Sequence, residues 1–343
     1  MYTGGVTKVI LAEPRGFCAG VDMAIKALIW LARSFPDRRV FCYHQIVHNQ
    51  VIVNWFEARG VHFVEDLHDI GGDDSGVALM LSAHGSSPAI TAEAYRRFDI
   101  VVDAVCPLVR KVHREMERRE RIGDTIVYLS EPSHDESAGT LGHARSDVMV
   151  VHNAEEIDDL DLADLDVSLL TQTTMPHDAH LAARAKLERM AQRAWVPSKL
   201  DLCFATTNRQ AAVKALARVV DAVVVVGSER SSNTKSLALV ARSAGVEQVY
   251  RVNDPVELPA DLSGVVGITA GASAPEELVQ RICRHLMPSE GVEVLPVLTE
   301  IEYFPQPPSL RAVAASYPDR AAPFNPEPGC DRDLTASELL ASL

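Results

Sequence analysis

Three cysteines in this chain each stand between a short apolar run and the start of an amphipathic pattern. They are Cys18, Cys106 and Cys203. Because a helix N-terminus exposes N–H groups and the positive end of the helix dipole, it lowers the pKa of a thiol and favours thiolate ligation or reactivity. Cys42 lies inside an apparent strand and Cys283 inside an apparent helix, so both are predicted to be packing residues.

Two polar loops follow each of these cysteines at similar distances, so the sequence contains an internal repeat. The first loop lies 30, 28 and 28 residues after the cysteine, and its residues are His48-Asn49, then Ser133-His134-Asp135-Glu136, then Ser231-Ser232-Asn233. The second loop lies 66, 67 and 70 residues after the cysteine, at His84, Thr173 and Ser273, and leads through a proline into a helix. Loops at the carboxyl ends of parallel strands bind ligands, so three such units around a pseudo-threefold axis would form one site.

Three thiolates suit two kinds of metal centre, and the residues alone leave both open. Zinc takes three cysteines and a fourth ligand. A [4Fe–4S] cluster with one open iron would pass electrons and bind substrate as a Lewis acid. The wide spacing of the cysteines and the lack of any CxxC pair favour a cluster over a structural zinc, which usually uses close pairs.

The polar loops carry hydroxyl, amide and imidazole groups, which suit a phosphate or diphosphate. The candidate residues are His48, His84, Ser231, Ser232, Asn233 and Ser273. There is no Walker-type glycine-rich loop, so a P-loop nucleotide site is excluded. Glu136 is a candidate proton donor, and His134, two residues before it, is expected to hold it in place.

The composition is that of a globular protein with more than one domain. The chain has 343 residues, of which 47% are apolar and 23% charged, and its net charge of −14 disfavours nucleic-acid binding. No apolar run reaches ~18 residues and the first residues are unlike a secretory signal, so a cytoplasmic protein without a membrane segment is expected. Cys330, in a proline-rich C-terminal segment, is predicted to be incidental.

Short apolar strands alternate with amphipathic helices, which predicts the α/β class with largely parallel sheets. The predicted strands are Val6–Ala12, Val40–Tyr43, Val77–Ser82, Ile100–Ala104, Thr125–Leu129, Val167–Thr171, Ala222–Val226 and Val265–Thr269. The predicted helices include His113–Arg121, Pro176–Arg193 and Asn208–Val220. The predicted units are residues 15–106, 107–202, and 203–287 together with 1–14, followed by a C-terminal tail, 288–343.

These segments together resemble the 4-hydroxy-3-methylbut-2-enyl diphosphate reductase (IspH/LytB) family. The matching stretches span residues 15–280 in order and are RGFCAGV, IVHN, SAHGSSP, DAVCPLVRKVH, SHDE, TQTT, CFATTNRQ, GSERSSNTKSL and TAGASAPEELV. The resemblance implies a trefoil of three α/β units around a central [4Fe–4S] cluster held by Cys18, Cys106 and Cys203. It also implies reductive removal of an allylic hydroxyl, which gives isopentenyl and dimethylallyl diphosphates in the last step of the methylerythritol phosphate pathway of isoprenoid synthesis.

The resemblance further assigns roles to the loop residues. The diphosphate would be held by His48, His84, Ser231, Ser232, Asn233 and Ser273. Glu136 would deliver protons with help from His134, and Thr173 would position the substrate hydroxyl at the open iron. Single electrons would come from a ferredoxin or flavodoxin-type partner, since the chain has no GxGxxG unit.

The chain departs from the family pattern at three positions near these motifs. Asp135 stands where a proline is expected, Val105 where a threonine is typical, and Ser86 where a valine is typical. Two alternatives therefore accompany the reductase: a paralogue of the same fold acting on a related substrate, and a non-catalytic iron–sulfur sensor. Glu136 argues against the sensor, because a sensor needs no proton donor.

Overall fold

The computed structural model describes residues 5–197, 201–320 and 335–342. Within them the strands are β1 (Val6–Glu13), β2 (Arg39–Tyr43), β3 (Val61–Val64), β4 (Val77–Leu81), β5 (Ile100–Asp103), β6 (Thr125–Leu129), β7 (Met149–Val151), β8 (Asp166–Thr171), β9 (Arg193–Trp195), β10 (Ala222–Val226), β11 (Gln248–Val252), β12 (Gly264–Ala270) and β13 (Val292–Pro296). The helices are α1 (Ala19–Ser34), α2 (Gln50–Glu57), α3 (Pro88–Arg97), α4 (Pro107–Arg121), α5 (Asp135–Leu141), α6 (His177–Met190), α7 (Phe204–Leu216), α8 (Ser232–Ser243), α9 (Glu276–Leu286), α10 (Pro308–Ser316) and α11 (Ala336–Ser342).

These elements form two compact regions. The single-sheet region comprises residues 5–18, 174–179 and 202–302. The two-sheet region comprises residues 19–173, 180–197, 201, 303–320 and 335–342. All pairings between strands in the three sheets are parallel, so the predicted α/β class with parallel sheets is confirmed.

In the single-sheet region the strand order is β11-β10-β12-β1-β13. Every residue of β10 is buried, as expected for a parallel strand covered on both faces. Val224 and Val226 face a core that includes Ile282 of α9, whereas Val223 packs with Leu216 of α7 in the opposite core. The continuous valine run is therefore explained by helices on both sides of the sheet.

In the two-sheet region the orders are β3-β2-β4-β5 and β7-β6-β8-β9, so both sheets share one topology. The order β11-β10-β12-β1 repeats it, with β1 in the place of the fourth strand. In the first of these sheets, Phe41 of β2 and Leu79 of β4 pack with Phe98, which follows α3. In the second, Tyr128 of β6 packs with Met116 of α4. Each sheet thus has the same strand arrangement, although β1 comes from the opposite end of the chain.

The predicted elements agree with the structure where the apolar runs are long. All eight predicted strands are present, but α6 ends at Met190, before the predicted Arg193, which belongs to β9. Helix α7 begins at Phe204, four residues before the predicted start. The segment predicted as a tail contains β13, α10 and α11, and β13 pairs with β1 along its whole length. Cys330 lies outside the described residues.

Among the described residues, no helix combines the length and the apolar character needed to cross a membrane. The sequence-based expectation of three domain boundaries stays a prediction, as does the expected central cavity.

Candidate functional site

Each of the three candidate ligand cysteines lies directly before a helix. Cys18 precedes α1, while Cys106 and Cys203 are the N-cap residues of α4 and α7. In its own sheet order, each follows the fourth strand, namely β1, β5 or β9. The three cysteines therefore share one context along the chain, between the fourth strand of a sheet order and a helix, as the repeat predicts.

Cys203 is held by two donors from one residue of α7. The backbone N–H of Thr206 donates to Cys203 Sγ at 3.2 Å, and Thr206 Oγ1 lies 3.0 Å from the same sulfur. Burial and, to a smaller extent, interaction with the neighbouring Cys18 raise the pKa of the Cys203 thiol to about 12, although Thr206 and the positive charge of Arg209 lower it. At Cys203 the effect of burial is thus larger than the lowering of the thiol pKa that is expected at a helix N-terminus. A bound cation would favour the thiolate and lower this pKa.

The predicted diphosphate residues of the single-sheet region lie together. Ser231 is the N-cap of α8, and its Oγ accepts the N–H of Thr234 at 3.3 Å and lies 3.5 Å from Ser273 Oγ. Asn233 Oδ1 accepts the N–H of Ala272 at 3.0 Å. These contacts gather hydroxyl groups around the N-terminus of a twelve-residue helix, where backbone N–H groups favour an anion.

A hydrogen-bond path joins Asn233, beside these serines, to the thiol of Cys203. Asn233 Nδ2 donates to Thr206 Oγ1 at 3.4 Å, and Thr206 in turn contacts Cys203. Ser232, in the first turn of α8, lies with its Oγ 2.7 Å from Thr174 Oγ1. The single-sheet region therefore links the thiol of Cys203 through Thr206 to Asn233, one of the predicted anion-binding residues.

In the two-sheet region, Glu136 is fully enclosed and paired with Thr173. The backbone N–H of Thr173 donates to one carboxylate oxygen at 2.7 Å, and its hydroxyl donates to the other at 3.0 Å. Burial raises the pKa of Glu136 to about 7, although both hydrogen bonds from Thr173 lower it. Near neutral pH this carboxyl can therefore both hold and release a proton, which is the property of a general acid.

His134 positions the turn that carries Glu136. It is the N-cap of α5, and its Nδ1 accepts the backbone N–H of Glu136 at 3.1 Å. Its ring stands edge-on to His48, with ring centres 4.9 Å apart, and to His84 at 5.8 Å. The predicted assisting role of His134 thus has a structural basis in backbone capping, and the ring lies among the predicted diphosphate histidines.

His48 and His84 stack with ring centres 3.9 Å apart and planes inclined by 16°. Burial lowers the pKa of His84 well below its ordinary value, and the neighbouring His48 and His134 lower it further. One ring nitrogen each of His48 and His84 and one carboxylate oxygen of Asp135 lie within 4.8 Å of one another. One metal ion cannot lie in the planes of two stacked rings, so His48 and His84 do not both offer a ring nitrogen to one ion.

Asp135, noted above as a departure from the family pattern, belongs to this cluster, and so does His44, which the sequence did not single out. The carboxylate of Asp135 lies 3.2 Å from His44 Nδ1 and 3.6 Å from His48 Nε2. Burial raises the pKa of Asp135, but the His44 hydrogen bond and the nearby histidines outweigh it and leave the pKa lowered. Its place between His134 and Glu136 was the available signal, whereas nothing in the sequence around His44 indicated this contact.

Close backbone packing connects the loop of His84 to both Cys106 and α5. The N–H of Cys106 donates to the carbonyl of Ala83 at 3.0 Å. A Cβ atom added at Gly139 of α5 would lie 2.7 Å from the carbonyl oxygen of Gly85, so no larger residue fits there. The two-sheet region therefore brings together Cys106, His48, His84, His134, Glu136 and Thr173 in adjoining loops.

Comparison with known proteins gives consistent matches over most of the chain. The family model described as LytB protein matches residues 9–287. A curated 4-hydroxy-3-methylbut-2-enyl diphosphate reductase of Haemophilus influenzae (strain PittEE) is 40% identical over 313 residues, which cover 89% of this chain and 98% of that protein. The protein of the same name from Bifidobacterium longum is 41% identical, covering 88% of this chain and 92% of that one.

Two solved structures share the fold. The E-1-hydroxy-2-methyl-but-2-enyl-4-diphosphate reductase of Plasmodium falciparum matches with a TM-score of 0.83 and 28% identity, covering 91% of this chain and 99% of the other. A structure of (E)-4-hydroxy-3-methyl-but-2-enyl diphosphate reductase, described as the terminal enzyme of the non-mevalonate pathway, matches with a TM-score of 0.58 and 27% identity. It covers 82% of this chain and 99% of that chain.

Proposed function

Because this chain belongs to the LytB protein family, we propose that it is a reductase of (E)-4-hydroxy-3-methylbut-2-enyl diphosphate. The reaction adds two electrons and two protons to the allylic alcohol and releases water, with isopentenyl or dimethylallyl diphosphate as the other product. The observation that carries the proposal is the enclosed Glu136 carboxyl, held by Thr173 beside His134 and the stacked histidines.

The donor set fits the iron–sulfur cluster on which this family depends. Cys18 is near enough to Cys203 to raise the pKa of its thiol, and Cys203 accepts hydrogen bonds as a thiolate ligand would. Cys106 occupies the equivalent N-cap position in its own sheet. We therefore assign Cys18, Cys106 and Cys203 as ligands of a [4Fe–4S] cluster with one open iron, because soft thiolates are the usual ligands of such clusters. When bound, the cluster supplies single electrons and a Lewis-acidic iron.

The proton is delivered by Glu136. With a pKa of about 7, this carboxyl is protonated in a large fraction of molecules at neutral pH. When it is protonated, its O–H can donate to Thr173 Oγ1, which then turns its own hydroxyl hydrogen toward the substrate oxygen. Thr173 thus positions the substrate hydroxyl, and the leaving group departs as water instead of hydroxide.

The diphosphate anchors the substrate so that its allylic end is oriented for reaction. Ser231, Ser232, Asn233 and Ser273 supply hydroxyl and amide donors together with the N-terminus of α8. His48 and His84 supply imidazole donors, and an incoming anion favours their protonated forms. The electrons are proposed to come from a ferredoxin or flavodoxin-type donor.

The test is an assay of the anaerobically purified protein with this substrate and a one-electron reductant such as reduced methyl viologen. We expect iron and sulfide in the protein and formation of both products. Glu136→Gln should retain the cluster absorbance and lose turnover. An intact cluster without turnover of this diphosphate would refute the assignment and favour the paralogue or the sensor.

A further inference from the structure

Arg209 of α7 has a side chain that is 0% exposed and donates hydrogen bonds from all three of its guanidinium nitrogens. Its Nε and Nη2 donate to the carbonyl of Gly16 at 3.1 and 2.8 Å, and Nη2 also reaches the carbonyl of Phe17 at 3.2 Å. Its Nη1 donates to the carbonyl of Ala205 at 3.0 Å. One side chain therefore links the turn before Cys18 to the first turn of the helix that follows Cys203.

The same turn is held from its other side by backbone contacts. The N–H of Gly16 donates to the carbonyl of Ala270, and that of Cys18 to the carbonyl of Ala272, each at 3.3 Å. Gly16 adopts a φ of +70°, a conformation that most side chains disfavour. The turn of Cys18 is thus fixed between the loop after β12 and the guanidinium of Arg209.

Glu300 is the counter-ion of Arg209. Its two carboxylate oxygens lie 2.8 and 3.0 Å from Nη1, and the Glu300 side chain is only 16% exposed. Asn208 Nδ2 donates to the same carboxylate at 3.2 Å. The pair is therefore close to electrically neutral as a whole, but its positive member is the one that contacts the cysteine-bearing turns.

We propose that Arg209 is a positioning residue for the metal centre, and that the Arg209–Glu300 pair sets how readily this centre is reduced. The proposal rests on the proposed function, since it takes Cys18 and Cys203 as cluster ligands. A planar guanidinium can reach several carbonyl groups at once, whereas a lysine ammonium cannot hold this set in one geometry. Groups that orient the ligands of a metal also control its affinity and potential.

The positioning role depends on the forked geometry of the Arg209 guanidinium, whereas the effect on reduction depends on the charge of Glu300. Separate variants can therefore test the two parts of the proposal. Arg209→Lys keeps the positive charge but removes the forked donor, and it should weaken retention of the cluster. Glu300→Gln keeps a hydrogen-bond acceptor for Arg209 but removes the negative charge. Because a reduced cluster carries one more negative charge, the uncompensated Arg209 should stabilise it and raise the midpoint potential.

Lys214→Gln is the matched control. Lys214 lies on the same helix, five residues beyond Arg209, and pairs with Asp178 at the surface, with side chains 40% and 62% exposed. This variant removes one charge and one ion pair from α7 without touching the cysteine turns. It shows how far iron loss and the midpoint potential change when a charge is removed from α7 at a distance from the turn of Cys18.

The experiment uses the anaerobic holoprotein of wild type and the three variants. The rate of iron loss to a chelator should rise about 10- to 100-fold in Arg209→Lys relative to Lys214→Gln. The midpoint potential, from a redox titration followed by EPR, should shift upward in Glu300→Gln and stay at the wild-type value in Lys214→Gln. Circular dichroism and unfolding curves should show that all variants are folded.

Several outcomes would overturn the inference. Iron loss from Arg209→Lys at the control rate would refute the positioning role, and an unshifted potential in Glu300→Gln would refute the electrostatic role. If Arg209→Lys does not fold, Glu300→Gln and the double variant Arg209→Gln/Glu300→Gln decide: the neutral double variant should lose iron faster yet return the potential toward wild type. Wild-type protein that holds no iron and sulfide would overturn the proposed function itself, whereas a loaded wild type with unaffected variants overturns only this inference.

Discussion

Replacing Glu136 by glutamine should stabilise the fold while it abolishes turnover. Burial raises the pKa of this carboxyl from the ordinary 4.5 to about 7. The folded protein therefore binds a proton that the unfolded chain releases, and stability falls as the pH rises from 4.5 to 7. At about 1.4 kcal/mol for each tenfold change in proton affinity, the ionised carboxylate costs about 3 kcal/mol above neutral pH.

Glutamine has nearly the same shape and is never charged, so Glu136→Gln removes this cost. The difference in free energy of unfolding between variant and wild type should grow by about 3 kcal/mol between about pH 4 and about pH 8. Urea unfolding followed by tryptophan fluorescence is a suitable assay. Trp30, Trp55 and Trp195 are the three tryptophans of the chain, and all lie in the region that contains Glu136.

Glu188→Gln provides the control for this experiment. Glu188 is exposed on α6 and pairs with Arg184, and such surface pairs contribute about 0 to 1 kcal/mol. Its difference from wild type should change little over the same pH range. A pH-independent difference for Glu136→Gln, or a variant less stable than wild type at high pH, would refute the argument that burial raises the pKa of Glu136 and makes its ionised form destabilising.

Further predictions concern the other loops of the site. Because burial and its neighbours lower the pKa of His84, binding of inorganic pyrophosphate at neutral pH should take up protons, and calorimetry in buffers of different ionisation enthalpy should detect this uptake in wild type but less of it in His84→Asn. Gly139→Ala would place a methyl group 2.7 Å from the carbonyl of Gly85, so the KM for the diphosphate should rise while the iron content is unchanged. Iron analysis should show loss of the cluster in Cys106→Ser and its retention in Cys42→Ser, whose thiol is packed inside β2; retention in the first or loss in the second would contradict the ligand assignment.

The sequence predicted the central strands because their apolar runs are continuous and bounded by polar loops. β10, with four consecutive valines, is an example in which a fully buried parallel strand has an unmistakable pattern. The missed strands include β3, β7 and β13, which are short or partly exposed and lie at sheet edges. Their pairing depends on the neighbouring strand more than on their own residues.

Equivalent positions in the repeat allowed the loops to be predicted, but not the contacts within them. Glu136 and Thr173 were both candidates, yet their hydrogen bonds join residues 37 positions apart, and no local pattern indicates such a pair. The pairing of Arg209 with Glu300 is of the same kind, with the partners 91 positions apart. Contacts of this sort follow from how the loops meet, and the spacing of motifs only indicates which loops are involved.

The place of β1 in its sheet has a consequence for how the chain folds. β1 pairs with β12 and β13, so Val6 lies beside Gly264, roughly 250 residues further along. Pairings of such long sequence separation form slowly, because a large loop must close before any contact is gained. During synthesis, β1 and the turn of Cys18 therefore have no neighbouring strands to pair with until β12 and β13 have been made. The strands of the other two sheets are close in sequence and can pair earlier. We therefore expect acquisition of the metal centre to follow the completion of β12 and β13.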